Sequence, residues 1–162
     1  MKKLFVLALV VMTAMAAVNA FAADNIPQTI TYQVTAINEI SVSGSPGALV
    51  VNTAVPGSQP TVATDATTTY GITTNNSNKK ITGAINTAMP ANTLLKVTLV
   101  APAGGSSSQV TLTASPQDLV TGIATLAQSG LTITYEFSAT LGAGIIGSST
   151  KTMTFTIVDQ AI

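Results

Sequence analysis

The feature that most constrains the fold of this 162-residue chain is an apolar period of two, repeated in segment after segment. It is clearest from Leu131 to Leu141, where apolar residues alternate with Thr, Glu or Ser. Such a period places alternate side chains on opposite faces of a strand. Turn residues such as Pro116 and Gly142 separate the segments. The pattern predicts an all-β fold, an antiparallel two-sheet Ig-like (Greek-key) sandwich of about seven to nine strands.

The first predicted strand is the longest and runs from Thr29 to Val42. Asn38 interrupts its apolar face and Ile37 falls on the opposite face, so we expect a bulge or a change of sheet between Ala36 and Asn38. The apolar face itself comprises Ile30, Tyr32, Val34, Ala36, Ile40 and Val42.

Two further segments yield local predictions. The polar turn 75–78 separates alternating runs at 67–74 and 79–87, which predicts a β-hairpin. The segment 115–126 is open to two interpretations. Ser115 followed by Pro116 is typical of a helix start, whereas Gly122 and its β-branched neighbours favour a short strand.

Residues 1–22 have the three parts of a secretory signal peptide. Lys2 and Lys3 precede an apolar run of about 15 residues, and Ala20-Phe21-Ala22 supplies small residues for cleavage. The run is shorter than the roughly 20 residues that span a bilayer. We therefore expect cleavage after Ala22, a short arm at 23–28, a single β-sandwich domain at 29–162 and no membrane span in the mature chain. The predicted location is extracellular or at the cell surface, with the periplasm as the alternative.

The composition excludes most kinds of chemical site. The chain has no Cys, His, Trp or Arg, the residues from which most metal and acid–base sites are built. The six acids show no spacing that singles out a glycosidase pair or a calcium loop. We therefore expect a protein that is not an enzyme, with no catalytic, cofactor-binding or metal site.

Charge narrows the range of partners. Beyond residue 22 four lysines face six acids, a side-chain charge of −2, and Thr occupies 26 of the 140 positions. Such a surface has no basic field for nucleic acid, and its copies repel each other weakly. Copies of itself or related β-subunits are the expected partners.

The three tyrosines, Tyr32, Tyr70 and Tyr135, are the candidates for a sugar-binding platform. All three lie on the apolar phase of their predicted strands, which favours core packing over a glycan site. A glycan ligand stays an unsupported alternative.

The first strand is also a candidate strand-exchange segment. Ile30, Tyr32, Val34 and Ala36 can pair within their own sheet, or they can fill the groove of a neighbouring copy by β-strand addition. Both readings stay open.

Four stretches carry a resemblance to known proteins: 36–44, 81–85, 118–123 and 152–157. They resemble uncharacterised secreted bacterial all-β proteins, which are similar in style to fimbrial-subunit and spore-coat-U-like β-sandwiches. The resemblance implies a structural role at the cell surface and transfers no site residues.

These observations predict a secreted, non-catalytic structural protein of the cell surface, a fibre or pilus, or the extracellular matrix, which self-assembles by β-strand addition through residues 23–42. The alternative is a monomeric secreted adhesin or carbohydrate-binding module.

Overall fold

A computed structural model describes residues 25–161 of the chain. The predicted signal peptide therefore lies outside the described residues. The chain divides into two compact units, 1–33 and 34–162. The described part of the first unit, residues 25–33, contains no helix or strand.

The second unit is built from strands. Within residues 25–161 the helical content is confined to a three-residue turn at Leu141–Ala143, far short of the length and apolarity that a bilayer-spanning helix requires. The strands are β1 (Asn38–Val42), β2 (Ala63–Thr74), β3 (Lys79–Ile85), β4 (Thr93–Leu99), β5 (Ser106–Ser107), β6 (Val110–Thr111), β7 (Gln117–Ile123), β8 (Leu126–Ala139) and β9 (Met153–Asp159).

These nine strands form two antiparallel sheets. The first sheet has the order β1-β2-β8-β4-β6, and the second has the order β5-β7-β3-β9. Every paired neighbour runs antiparallel. The predicted all-β class and the two antiparallel sheets are confirmed.

The core lies between the two sheets, where their apolar faces meet. In β8 the alternating residues Leu131, Ile133 and Tyr135 are buried, while the intervening threonines are half-buried on the other face. Strands β2, β3, β4 and β7 complete the core, together with Leu112 just after β6. Their buried residues are Tyr70, Ile72, Ile81, Ile85, Val97, Leu99, Leu119, Val120 and Ile123. Period-two alternation thus produces one buried layer, as the sequence predicts.

The two lateral sides of the sandwich differ. On one side the chain passes from β5, at the edge of the second sheet, to β6, at the edge of the first, within residues 106–111. These edge strands are only two residues long, so they offer few backbone groups to which another strand could pair. On the other side β1 and β9 are the edges, and they neighbour each other across the gap between the sheets. β9 is seven residues long, and within residues 25–161 no strand pairs with its outer side.

The prediction of a first strand from Thr29 to Val42 is wrong in its length. β1 begins at Asn38, which pairs with Thr74, the last residue of β2. β2 ends there, so the residues before Asn38 have no further β2 residue to pair with. The side chain of Asn75 takes the place of a backbone partner there. It accepts a hydrogen bond from the Ile37 amide and donates one to the Thr35 carbonyl, both at 2.8 Å.

The predicted hairpin around residues 75–78 is also wrong. β2 pairs with β1 and β8, whereas β3 pairs with β7 and β9, so the turn joins strands of different sheets. Both strands have an apolar face, and each can bury it by facing the other across the core rather than lying beside it. The turn ends at Asn78 with a φ of 58°, a left-handed conformation that Asn tolerates.

The ambiguous segment 115–126 forms β7 and the start of β8 rather than a helix. Leu119, Val120 and Ile123 are buried there. The β-branched residues of the segment thus decide its structure, and the positive φ of Gly122, 71°, accommodates an irregular pairing with β3.

Candidate functional site

A groove of about 1280 Å³ opens at one end of the sandwich, between the two sheets. Leu95 of β4 and Phe137 of β8 line it from the first sheet. Ile85 of β3, together with Met153 and Phe155 of β9, lines it from the second sheet. We call this the open groove. Its position brings the start of the β9 edge into the groove wall.

The apolar floor of the groove is incompletely covered. Leu49, Met89, Leu95, Met153 and Phe155 pack against the core but are only half-buried. The inward residues of β7, in contrast, are fully buried. A partly covered apolar wall of this size is typical of a site for another chain or ligand.

Two irregular segments form the rims of the groove, residues 42–54 and 144–152. Their pairing is sparse, since an isolated bridge between Ala54 and Pro60 is the only strand-like pairing described between β1 and β2. Several of their apolar side chains face solvent, among them Val50, Ile145 and Ile146. These rims contain few hydrogen bonds that would oppose movement as the groove fills.

Asp65 fixes one rim to the first sheet. Its carboxylate accepts hydrogen bonds from the Thr67 amide at 3.1 Å, the Thr67 hydroxyl at 2.8 Å and the Gly47 amide at 3.2 Å. The two bonds from Thr67, followed by the bond from Gly47, hold the pKa of Asp65 below its ordinary value. This acid therefore orders a loop rather than serving as a reactive group.

Two of the three candidate tyrosines are core residues. Tyr70 and Tyr135 are 2% and 6% exposed, and burial raises the pKa of each to about 12, with the charge of Asp65 adding to the effect at Tyr135. The Tyr70 hydroxyl donates a hydrogen bond of 2.6 Å to the Val100 carbonyl. Neither ring is available as a sugar platform.

Tyr32 departs from the core packing predicted for it. Its side chain is 90% exposed, and its neighbours in phase, Ile30 and Val34, are 75% and 79% exposed. Ala36 is exposed as well. The candidate strand-exchange segment is thus an alternating apolar series that lies outside every described strand, with Thr31, Gln33 and Thr35 in the opposite phase.

Most of the other charged side chains form ion pairs on the surface. Lys79 pairs with Asp159, Lys80 with Asp118 at 2.8 Å and Lys96 with Glu136 at 3.8 Å. Each pair joins neighbouring strands, so these groups support the sheets. Within residues 25–161, no three acidic side chains gather as metal ligands would.

Lys151 differs from Lys79, Lys80 and Lys96 because its described partners are neutral. Its Nζ donates to the Thr87 hydroxyl at 2.6 Å and to the Ala88 carbonyl at 2.8 Å. These bonds join the rim at 144–152 to the loop after β3, on the wall of the open groove.

Sequence reasoning alone missed the open groove. The sequence places Met153 and Phe155 on the inward phase of a strand but gives no sign that their cover is incomplete, because cover depends on which strands become neighbours.

The sequence matches no protein-family model, no curated protein and no solved structure.

Proposed function

We propose that this protein is a secreted, non-catalytic structural subunit that assembles by β-strand addition. Of the predicted segment 23–42, residues 38–42 stay in β1, paired with β2 of their own copy. The part before β1, residues 23–37, which we call the donor segment, enters the open groove of the next copy and pairs with the outer edge of β9, above all through Ile30, Tyr32, Val34 and Ala36. The observation that carries the proposal is that residues 25–161 contain both an exposed, alternating apolar segment and a partly covered apolar groove, beside an edge of β9 that no strand of these residues pairs with.

The lengths of donor and acceptor agree. β9 has seven residues, and the segment from Ile30 to Ala36 also has seven. In an extended conformation each spans roughly 23 Å at about 3.3 Å per residue. A fully paired strand can therefore form without insertion or overhang.

The chemistry of the two parts also agrees. The donor residues 25–37 carry no charge, and the groove wall includes the apolar side chains of Leu95, Phe137, Met153 and Phe155. Backbone hydrogen bonds to β9 would supply strength that does not depend on sequence, and alternate apolar side chains would supply the register. Burial of the donor side chains contributes about 25 cal/mol per Å² of apolar surface.

The strand order supports an Ig-like assignment with one strand missing. Neighbour order β1-β2-β8-β4 fits the A-B-E-D sheet of an Ig-like domain, and β3-β9 fits its C-F pair, with each strand in the matching chain order. In that fold a G strand lies beside F. The outer side of β9 is the corresponding position, and the donor segment supplies the strand.

The test compares filament formation by two matched variants of the mature chain, residues 23–162. In the first, Ile30→Thr, Tyr32→Thr and Val34→Thr remove the apolar phase of the donor. In the second, Thr31→Ser, Gln33→Asn and Thr35→Ser alter only the opposite phase. Electron microscopy and sedimentation velocity should show polymers for the wild type and the second variant and monomers for the first. Equal assembly of both variants, or monomeric wild type at high concentration, would contradict the proposal.

The proposed export rests on residues 1–22, and its test is separate. Intact mass of protein recovered from the periplasm or the culture medium should correspond to a chain that begins at Ala23. A product that retains Met1 would contradict export by a cleaved signal.

The alternative function, a monomeric carbohydrate-binding module, has less support. It requires an exposed aromatic patch, whereas Tyr70 and Tyr135 are buried. Tyr32 alone is exposed, and it belongs to the donor segment.

A further inference from the structure

Both methionines that follow the predicted signal peptide line the open groove. The chain has five methionines: Met1, Met12 and Met15 precede residue 22, and Met89 and Met153 follow it. Met89 lies in the loop after β3 and Met153 opens β9. Both are half-buried against the core in the groove wall.

Their surroundings combine access with an apolar contact surface. The groove is open to solvent, so a small dissolved oxidant can reach its wall, and Leu95, Phe137 and Phe155 share that wall with the two thioethers. The terminal methyl group of Met153 lies only 2.7 Å from where a β-carbon on Gly83 would stand. The side chain of Met153 is therefore seated against the β3 backbone rather than free to swing away.

The composition restricts where an oxidant can act. The chain has no Cys, Trp or His, the residues that usually compete with methionine for oxidation. An oxidant of the peroxide class would thus act on the mature chain chiefly at these two thioethers.

We propose that Met89 and Met153 form an oxidation site that controls whether the groove accepts a strand. This inference rests on the proposed function. In the reaction each thioether sulfur attacks one oxygen of hydrogen peroxide, an S–O bond forms as the O–O bond breaks, and the products are a sulfoxide and water. The sulfur loses two electrons and the peroxide gains them.

The consequence for assembly follows from solvation. A sulfoxide oxygen is a strong hydrogen-bond acceptor and is well hydrated while the groove is empty. A strand seated over it would remove that water and offer apolar side chains in its place, which leaves a buried acceptor unpaired. We expect the donor to bind the oxidised groove roughly 10- to 100-fold more weakly.

The experiment uses the mature chain carrying Ile30→Thr, Tyr32→Thr and Val34→Thr, so that the protein does not donate its own strand. A fluorescent peptide of residues 23–36 serves as the donor, and anisotropy gives its dissociation constant before and after treatment with hydrogen peroxide. Mass spectrometry establishes one added oxygen atom at each methionine. The matched control adds Met89→Leu and Met153→Leu, and the ratio of its dissociation constants before and after treatment should be one.

The two arms separate the failure of this inference from that of the proposed function. Failure of the untreated protein to bind the peptide would contradict strand addition itself, and this inference with it. Binding that is unchanged with both sulfoxides present would overturn this inference alone. Loss of the β-sheet circular dichroism spectrum on oxidation would also overturn it, because oxidation would then act on the core rather than on strand acceptance.

Discussion

Gly83 lies in the middle of β3, beneath two side chains that leave no room for a β-carbon. Leu119 of β7 and Met153 of β9 reach over it from the two neighbouring strands, and their terminal carbons lie 2.6 and 2.7 Å from the position a β-carbon would take. The side chains of Leu119 and Met153 therefore occupy the space above β3 that a side chain at position 83 would otherwise fill. This close approach explains a glycine at a position where glycine lowers strand propensity.

Gly83→Ala should lower the free energy of unfolding by about 1–3 kcal/mol, because the added methyl group forces Leu119 and Met153 out of place. Gly147→Ala is the matched control, since no atom lies within 4 Å of a β-carbon there. Urea denaturation followed by circular dichroism measures both. A Gly83→Ala midpoint equal to that of the control would contradict the packing described.

Asp65 gives the groove rim a dependence on pH. Its lowered pKa in the folded state means that the unfolded chain binds the proton more tightly. The carboxylate therefore stabilises the fold above the pKa of the unfolded chain, and this contribution is lost as the pH falls below about 4.

Asp65→Asn should flatten the acid side of the stability profile. The variant lacks the titrating group, so its urea midpoint should fall less than that of the wild type between neutral pH and about pH 3. At neutral pH the variant should be the less stable of the two, because the hydrogen bonds from Thr67 and Gly47 lose a charged acceptor. Parallel profiles would show that Asp65 titrates as a free surface acid.

At the scale of elements, Asn75 marks the point where the donor segment leaves the sandwich. Its side chain bonds to Ile37 and Thr35, and its own amide donates to the Ile37 carbonyl at 3.2 Å. These three bonds extend the hydrogen bonding between β1 and β2 just beyond Thr74, the last residue of β2. The side chain of Asn75 thereby defines where the ordered β1 edge ends.

Asn75→Ala should speed amide hydrogen exchange at Ile37 roughly fivefold, because the loss of one hydrogen bond is worth about 1 kcal/mol. Exchange in the middle of β2 should not change. Ser77→Ala, an exposed position in the same turn, is the control, and exchange detected by NMR distinguishes the two. Equal protection of Ile37 in both variants would contradict the role given to Asn75.

The elements divide into those that local sequence predicts and those that it does not. Strands β8 and β9 follow from alternation alone, because one face of each meets the core whichever strand lies beside it. The hairpin prediction failed because a short turn shows only that β2 and β3 are close in sequence, not that they pair. Both edges of β2 and both edges of β3 pair with other strands. The first strand was predicted too long because apolar alternation in 30–36 shows only that these residues can form a strand. A strand also needs a neighbouring edge to pair with, and β2 ends at Thr74.

At the scale of the whole molecule, the two lateral sides of the sandwich differ in the strand edges that they expose. The crossing at 106–111 closes one side, while β9 and the open groove lie on the other side. In the proposed assembly, donor and acceptor are different surfaces of the same chain, so the contact between copies is head-to-tail. A head-to-tail contact that does not close into a ring produces an open filament.

The candidate site could be predicted from the sequence only in part. The donor segment is visible in the sequence as Ile30, Tyr32, Val34 and Ala36, because its alternation is local. The groove is not visible, because it arises where the ends of β3, β4, β8 and β9 come together in space and are left partly uncovered. Its two methionines become significant only when the fold brings residues 89 and 153 to one wall.

The most direct measurement of the central claim is a cross-link between copies in a chain that has no natural cysteine. Mature protein with Tyr32→Cys is mixed under mild oxidation with isotope-labelled protein carrying Phe155→Cys or, in a second mixture, Ile157→Cys, and Thr31→Cys replaces Tyr32→Cys in the control. Full pairing of residues 30–36 with β9 places position 32 opposite position 155 if the two strands run parallel and opposite position 157 if they run antiparallel. Strand addition therefore predicts a disulfide between copies from position 32 to one of these two positions, found by mass spectrometry, and a much lower yield from position 31. Equal yields from positions 31 and 32, or no cross-link between copies, would contradict the account.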